Sequence, residues 1–160
     1  MRIVFLDIDG VLNSDLWDMT KTNKADDFPN DQFDPKAVAL FNDLIKTIDA
    51  QIVLTSTWRL IYDIEQINTI FKQVGIHREV LDYTPNLNAG NGHLVRGNEV
   101  LRWCIDNKQN IKIPHLTYKD YLILDDNPDY LLSQADRFIR TDKRTGLTTQ
   151  LVQEILKKFD

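Results

Sequence analysis

Ile3-Val4-Phe5-Leu6-Asp7-Ile8-Asp9-Gly10-Val11-Leu12-Asn13 is the stretch from which the rest of the chain can be read. Its apolar run, Ile3 to Leu6, does not alternate with polar residues, so it reads as a strand covered on both faces. In extended chain a spacing of two points Asp7 and Asp9 the same way while Ile8 turns into the core. Gly10 then lets the backbone bend sharply.

Gln51-Ile52-Val53-Leu54 and Tyr121-Leu122-Ile123-Leu124 repeat the apolar pattern, and Arg137-Phe138-Ile139-Arg140 is a shorter version. Helical spacing lies between these runs. Pro35 to Thr47 carries Val38, Leu40, Phe41, Leu44 and Ile45 behind an Asp34 cap. Leu60 to Val74 carries Ile61, Ile64, Ile67, Ile70 and Phe71 and is closed by Gly75. A third helix starts near Gly97 with Val100, Leu101 and Cys104, and Thr148 or Thr149 opens a last one with Leu151, Val152, Ile155 and Leu156. This alternation predicts a single α/β domain over residues 1–160, doubly wound and Rossmann-like, with a mainly parallel sheet and helices on both faces. Ligands of such sheets bind beyond the carboxyl ends of the strands, so functional residues should follow strands. Two stretches without periodicity, 13–34 and 84–96, are expected to be active-site loops.

The composition narrows the function classes. A net charge of -5 over 160 residues provides no broad basic field for a nucleic-acid backbone, although it leaves room for a local basic patch. The one cysteine, Cys104, cannot form an internal disulfide, and a reducing, cytoplasmic setting is expected. The first apolar run is too short for a secretory signal, nothing approaches transmembrane length, and no segment calls for an obligate protein partner.

Asp125 and Asp126 follow the run Tyr121 to Leu124, with Asp129 close behind. If that strand neighbours the first, these carboxylates converge on Asp7 and Asp9, a costly arrangement unless a cation occupies it. An all-oxygen donor set suits Mg²⁺. Either acidic group alone would be an ordinary solvated turn, and Asp126-Asn127-Pro128-Asp129 is good turn chemistry. Two such groups, each ending an apolar strand with no adjacent base, favour a metal site. An EF-hand does not fit a strand followed by Asp7-x-Asp9-Gly10, and His77, His93 and His115 are isolated, so zinc is not indicated.

Thr55-Ser56-Thr57-Trp58-Arg59 follows the second run and leads toward a helix, which makes it an anion-binding candidate. Simple capping accounts for one hydroxyl but not for three, nor for Arg59 at the positive end of a helix. Arg96, entering the third helix, is the candidate counter-cation for a phosphate. Lys119 is its competitor, but it precedes a strand and so falls at the opposite end of the sheet.

Taken in order, these residues resemble the haloacid dehalogenase-like superfamily over nearly the whole chain. Asp7-Ile8-Asp9-Gly10-Val11-Leu12-Asn13 resembles its first motif, Thr55 the second, Arg96 the third and Asp125-Asp126 the fourth. Together with Thr145-Gly146-Leu147-Thr148, the pattern is similar to a compact branch found in phage and bacterial proteins and related to RNA-repair phosphatase domains. The resemblance implies a Mg²⁺-dependent phosphatase. Asp7 would be the nucleophile and Asp9 the acid/base, while Thr55, Ser56 and Arg96 bind the phosphate. Mg²⁺ would be held by Asp7, the main-chain carbonyl of Asp9, and Asp126, with Asp125 and Asp129 in support, while Arg59, farther from the pattern, is expected to have a substrate or structural role.

Neither inter-motif gap has room for a large cap domain, so an open site is expected. It would admit a phosphorylated small molecule, as a nucleotidase does, or a nucleic-acid end, as a polynucleotide-end phosphatase does. Two other classes compete. A phospho-receiver domain would place the acidic pair after the first strand and a lone acceptor later, the reverse of this order. A silent binding module would have no need of Asp9 as an acid/base.

Overall fold

The computed structural model describes residues 2–21, 27–88, 94–109 and 120–158. Strands β1 (Arg2–Leu6), β2 (Ala50–Leu54), β3 (Val80–Tyr83), β4 (Tyr121–Asp125) and β5 (Phe138–Arg140) form one sheet in the order β3-β2-β1-β4-β5. Every pairing in it is parallel. After β3 the chain returns to lay β4 beside β1, so the strand order reverses between these two, which is where a doubly wound sheet opens its ligand crevice. Leu6 pairs with Leu54 on one side and Leu124 on the other. The backbone N–H of Asp7 continues the ladder by donating to the Leu124 carbonyl at 2.9 Å, and that of Thr55 donates to the Leu6 carbonyl at 2.9 Å.

The central strands β1, β2 and β4 are buried on both faces, as their unbroken apolar runs require. Val4, Leu6, Ile52, Leu54, Leu122 and Leu124 pack with helices α2 (Pro35–Ile48), α3 (Ile64–Gln73) and α5 (Thr149–Lys157). Ile3, Phe5, Val53, Tyr121 and Ile123 face the other way, against Val100 and Trp103 of α4 (Arg96–Gln109). Phe5 meets Trp103 and Tyr121 edge-on at 5.3 and 5.6 Å, which fixes α4 over the central strands. By the two-residue period, Asp7 and Asp125 continue the rows that face α4.

The structure departs from the sequence expectations in three places. Strand β3 was not expected; it is an edge strand with only Val80 buried. The helix predicted to begin at Leu60 begins at Ile64, because Asp63 and Gln66 cap each other's backbone, while Leu60 and Ile61 remain exposed. The stretch 13–34 is not a continuous loop. It contains a short helix, α1 (Asp15–Thr20), capped by Ser14, and a 3-10 turn at Asn30–Gln32. Parts of the expected loops 13–34 and 84–96, together with His93, His115 and Lys119, lie outside the described residues.

Candidate active site

Three carboxylates meet at the crevice between β1 and β4. Asp7, Asp125 and Asp126 each offer an oxygen within 4.8 Å of the others. Asp7 is 6% exposed; its Oδ1 accepts the Ile8 N–H at 2.8 Å, and its Oδ2 accepts Nη1 of Arg96 at 3.0 Å. Asp125 is fully buried and accepts three donors, namely the same Nη1 of Arg96, the Tyr130 hydroxyl at 2.6 Å and the Asn127 N–H at 2.8 Å. The Asp126 carboxylate is half-buried and accepts no hydrogen bond from any described residue. It lies against Gly10, whose φ is +75° and whose absent Cβ would fall 2.5 Å from Asp126 Cγ. Gly10 is thus required twice, for its left-handed backbone and for the space it leaves to a carboxylate.

Charge at this spot is out of balance. Burial pushes the Asp7 carboxyl upward, with the Arg96 guanidinium and the Ser56 hydroxyl opposing it. Burial, then the neighbouring Asp7 charge, carries Asp125 up to about 7 against the pull of Arg96. For Arg96 burial acts against its charge, but Asp125 and Asp7 outweigh it and hold the proton more firmly. Three carboxylates and one guanidinium leave two negative charges, which one divalent cation would neutralise. The donors are all hard oxygens and one has no other partner, so the cluster fits Mg²⁺.

Asp9 stands apart from this trio. Its side chain is exposed and held by two donors, Nδ2 of Asn13 to Oδ1 at 2.8 Å and the indole N–H of Trp58 to Oδ2 at 3.0 Å. Asn13 closes the same loop by accepting the Gly10 N–H at 2.8 Å. The strand-end pair therefore diverges: Asp7 turns toward α4, whereas Asp9 is drawn to the turn after β2.

That turn is a short 3-10 segment, Thr57–Leu60, rather than the start of a helix. Ser56 caps it and is fully buried with its hydroxyl beside Asp7. Thr55 Oγ1 is buried near the Tyr130 phenol but forms no hydrogen bond, so a donor stands ready for an incoming oxygen. Arg59 is taken up by backbone carbonyls and one carboxylate. Its Nε donates to the Thr84 carbonyl at 3.1 Å, its Nη1 to the carbonyls of Thr55 and Ser56, and its Nη2 to Glu99 at 2.7 Å. Asp129 likewise supports from behind. Its Oδ2 accepts the Arg96 N–H at 3.0 Å, which anchors the start of α4.

Asn13, Trp58, Glu99, Tyr130 and Thr141 were not anticipated. Asn13 ends the first motif and Trp58 sits inside the second, so proximity to a motif was a usable signal for both. Glu99 and Thr141 act across long sequence distances, Thr141 by donating its hydroxyl to the Gly10 carbonyl at 2.7 Å, whereas Tyr130 reaches back only five residues to Asp125. A cleft of about 780 Å³ opens between Asp7, Arg96 and Asp126 and the segment from Arg140 to Lys143.

A parallel sheet that collects its acidic residues on either side of the strand reversal, with an arginine arriving from the helix above, defines a haloacid dehalogenase-like α/β domain. The chain belongs to the family described as the HAD domain in Swiss Army Knife RNA repair proteins, whose pattern matches residues 3–152. No curated protein matches the chain. No helix among the described residues is long and apolar enough to cross a membrane.

Proposed function

We propose that this chain is a Mg²⁺-dependent phosphomonoester hydrolase that works through an aspartyl phosphate on Asp7. The observation that carries this reading is the contact between Asp7 and Arg96 inside a cluster of three carboxylates at the strand reversal. Asp7 would attack phosphorus, and the bond to the leaving oxygen would break as Asp9 gives that oxygen its proton. A water would then attack the phosphoryl group and return a proton to Asp9, releasing phosphate and restoring Asp7.

When bound by Asp7, Asp126 and the main-chain carbonyl of Asp9, with Asp125 behind them, Mg²⁺ would supply positive charge to the phosphoryl oxygens. Thr55 offers those oxygens its unpartnered hydroxyl, Ser56 a second hydroxyl, and Arg96 a cation already in place. Asn13 and Trp58 each donate to one Asp9 oxygen, so the first loop and the turn after β2 together orient the acid/base. A silent binding module would give no reason for two donors to orient Asp9. The family's place in RNA repair proteins supports a nucleic-acid end over a free nucleotide as substrate. We place the chain in the reducing cytoplasm, a setting supported by its single cysteine, Cys104, which has no partner for an internal disulfide.

The test is phosphate release from an aryl phosphate with and without Mg²⁺. Turnover should require the metal and vanish in Asp7→Asn. Purified Asp7→Asn protein that retains full turnover would refute the mechanism.

A further inference from the structure

The cleft has a basic wall that the proposed hydrolysis does not use. Of the two arginines lining it, Arg96 is taken up by Asp7 and Asp125, whereas Arg140 makes no ion pair with any described residue. Arg140 Nε donates to the Asp126 carbonyl at 2.9 Å. That bond orients the guanidinium while its terminal nitrogens remain without a described partner. Lys143, on the same wall, has among the described residues only Asp15 at 4.0 Å as an ion-pair partner, and its side chain is 72% exposed. In a chain of net charge -5, an arginine with two open terminal nitrogens and a lysine held only loosely by Asp15 stand beside an acidic floor and call for an anion.

The segment bearing them is built into the site. Thr141, between the two cations, donates to the Gly10 carbonyl, and Asp142 pairs with Gly146 across a tight turn while accepting the Arg144 N–H at 2.8 Å. Leu147 N–H donates to the Val11 carbonyl at 2.9 Å. Gly146, at φ +66°, lies so close that a Cβ would fall 2.9 Å from the Asn13 carbonyl oxygen. Thr145-Gly146-Leu147-Thr148, singled out in the sequence but given no role there, thus locks the basic turn onto the loop that carries Asp7, Asp9 and Asn13.

We infer that Arg140 and Lys143 form a second phosphate subsite, which selects a substrate whose terminal phosphate is followed by another phosphate along a nucleotide chain. This inference rests on the phosphohydrolase reading for the orientation of the substrate. A guanidinium held by Nε keeps two terminal nitrogens for a bidentate grip on one phosphate, and the lysine adds a mobile point charge. Asp7 lies at the buried floor and the two cations at the exposed rim, so the terminal phosphate would enter first, with the next one held at the rim.

The test uses the full chain carrying Asp7→Asn, so that binding is read without turnover. Adenosine 5′-monophosphate, adenosine 3′,5′-bisphosphate, a phosphorylated uridine hexanucleotide and a doubly phosphorylated peptide are compared by equilibrium binding. The bisphosphate and the hexanucleotide should bind about five- to tenfold more tightly than the monophosphate. The added Arg140→Ala and Lys143→Ala changes should erase that gain and lower the salt slope for the hexanucleotide by about one unit. Arg140→Lys should restore part of it. A gain for the hexanucleotide beyond that of the bisphosphate identifies a polymer end rather than a free bisphosphate as the ligand.

Equal binding of mono- and bisphosphate, or a gain that survives both alanines, overturns the subsite. A phosphopeptide that matches the hexanucleotide and loses affinity in the same variants overturns its assignment to nucleotides. With Asp7 intact, the preference for hexanucleotide over aryl phosphate in kcat/KM should fall by a similar factor in the double variant. An unmoved preference counts against the inference, whereas failure of wild-type protein to hydrolyse any monoester sinks the phosphatase reading and leaves the binding result to decide the subsite.

Discussion

Arg59 and Glu99 meet at 2.7 Å with side chains 6% and 2% exposed, joining the turn after β2 to the helix that carries Arg96. Glu99 also accepts the Leu87 N–H at 3.0 Å, so one carboxylate ties three segments together. Removing either partner strands a buried charge. Glu99→Ala should therefore lower stability by about 3–5 kcal/mol in urea unfolding. The double change Arg59→Met with Glu99→Leu should be less harmful than Glu99→Ala alone, because it leaves no charge unpaired. A Glu99→Ala midpoint equal to wild type would show that the pair contributes nothing.

Trp58 contributes one N–H to Asp9 while its ring packs edge-on against Phe33 at 5.4 Å. Trp58→Phe keeps most of the packing and deletes the donor. It should reduce kcat on an aryl phosphate by about tenfold with KM little changed, as loss of orientation in an acid/base group does. A change confined to KM would place Trp58 in substrate binding instead.

Gly10→Ala sets a Cβ against the Asp126 carboxylate in a backbone conformation alanine rarely adopts. Asp126 must move, and Mg²⁺ affinity measured by titration calorimetry should fall by about ten- to a hundredfold. Unaltered metal affinity would remove Asp126 from the ligand set.

The Asp125 carboxyl, raised from 3.8 to about 7, holds a proton in the folded state that the unfolded chain has already lost. Between about pH 4 and pH 7 the folded state thus binds more protons, and this group's effect on stability worsens as pH rises. In chelator, the stability of Asp125→Asn relative to wild type should improve as pH rises through this window. Mg²⁺ should stabilise wild type more above pH 7 than near pH 5. Thermal melts at several pH values check both, and a Mg²⁺ effect larger at low pH would contradict the assignment.

The most legible strands in the sequence are the central ones, whose burial is nearly complete. β1, β2 and β4 announce themselves because strands covered on both faces admit no polar alternation, and α2 and α5 because each buries one face behind a clear cap. β3 is missed because only Val80 of its four residues is buried and Leu81 is exposed. α1 buries none of its residues, so no periodicity marks it. The start of α3 is misjudged because Leu60 and Ile61 fit the helical period yet face solvent. At the site, Asp7, Arg96, Asp125 and Asp126 are legible because strand ends and helix starts leave local signatures. The Glu99 bond to Arg59 and the Thr141 bond to Gly10 leave none, since each depends on how distant segments meet.

Strand β1 is central, and its partner on one side, β4, pairs Ile3 with Tyr121. During synthesis Asp7 is therefore made well before Asp125, Asp126 and the turn through Gly146, and waits for them. A nascent chain can pair β1 with β2 and begin its first hydrophobic layer, but it cannot assemble the acidic cluster. Closure of this long-range pairing is entropically slow and comes late. The charge repulsion of the cluster is consequently absent while the first layer forms, and the three carboxylates come together only once β4 is in place.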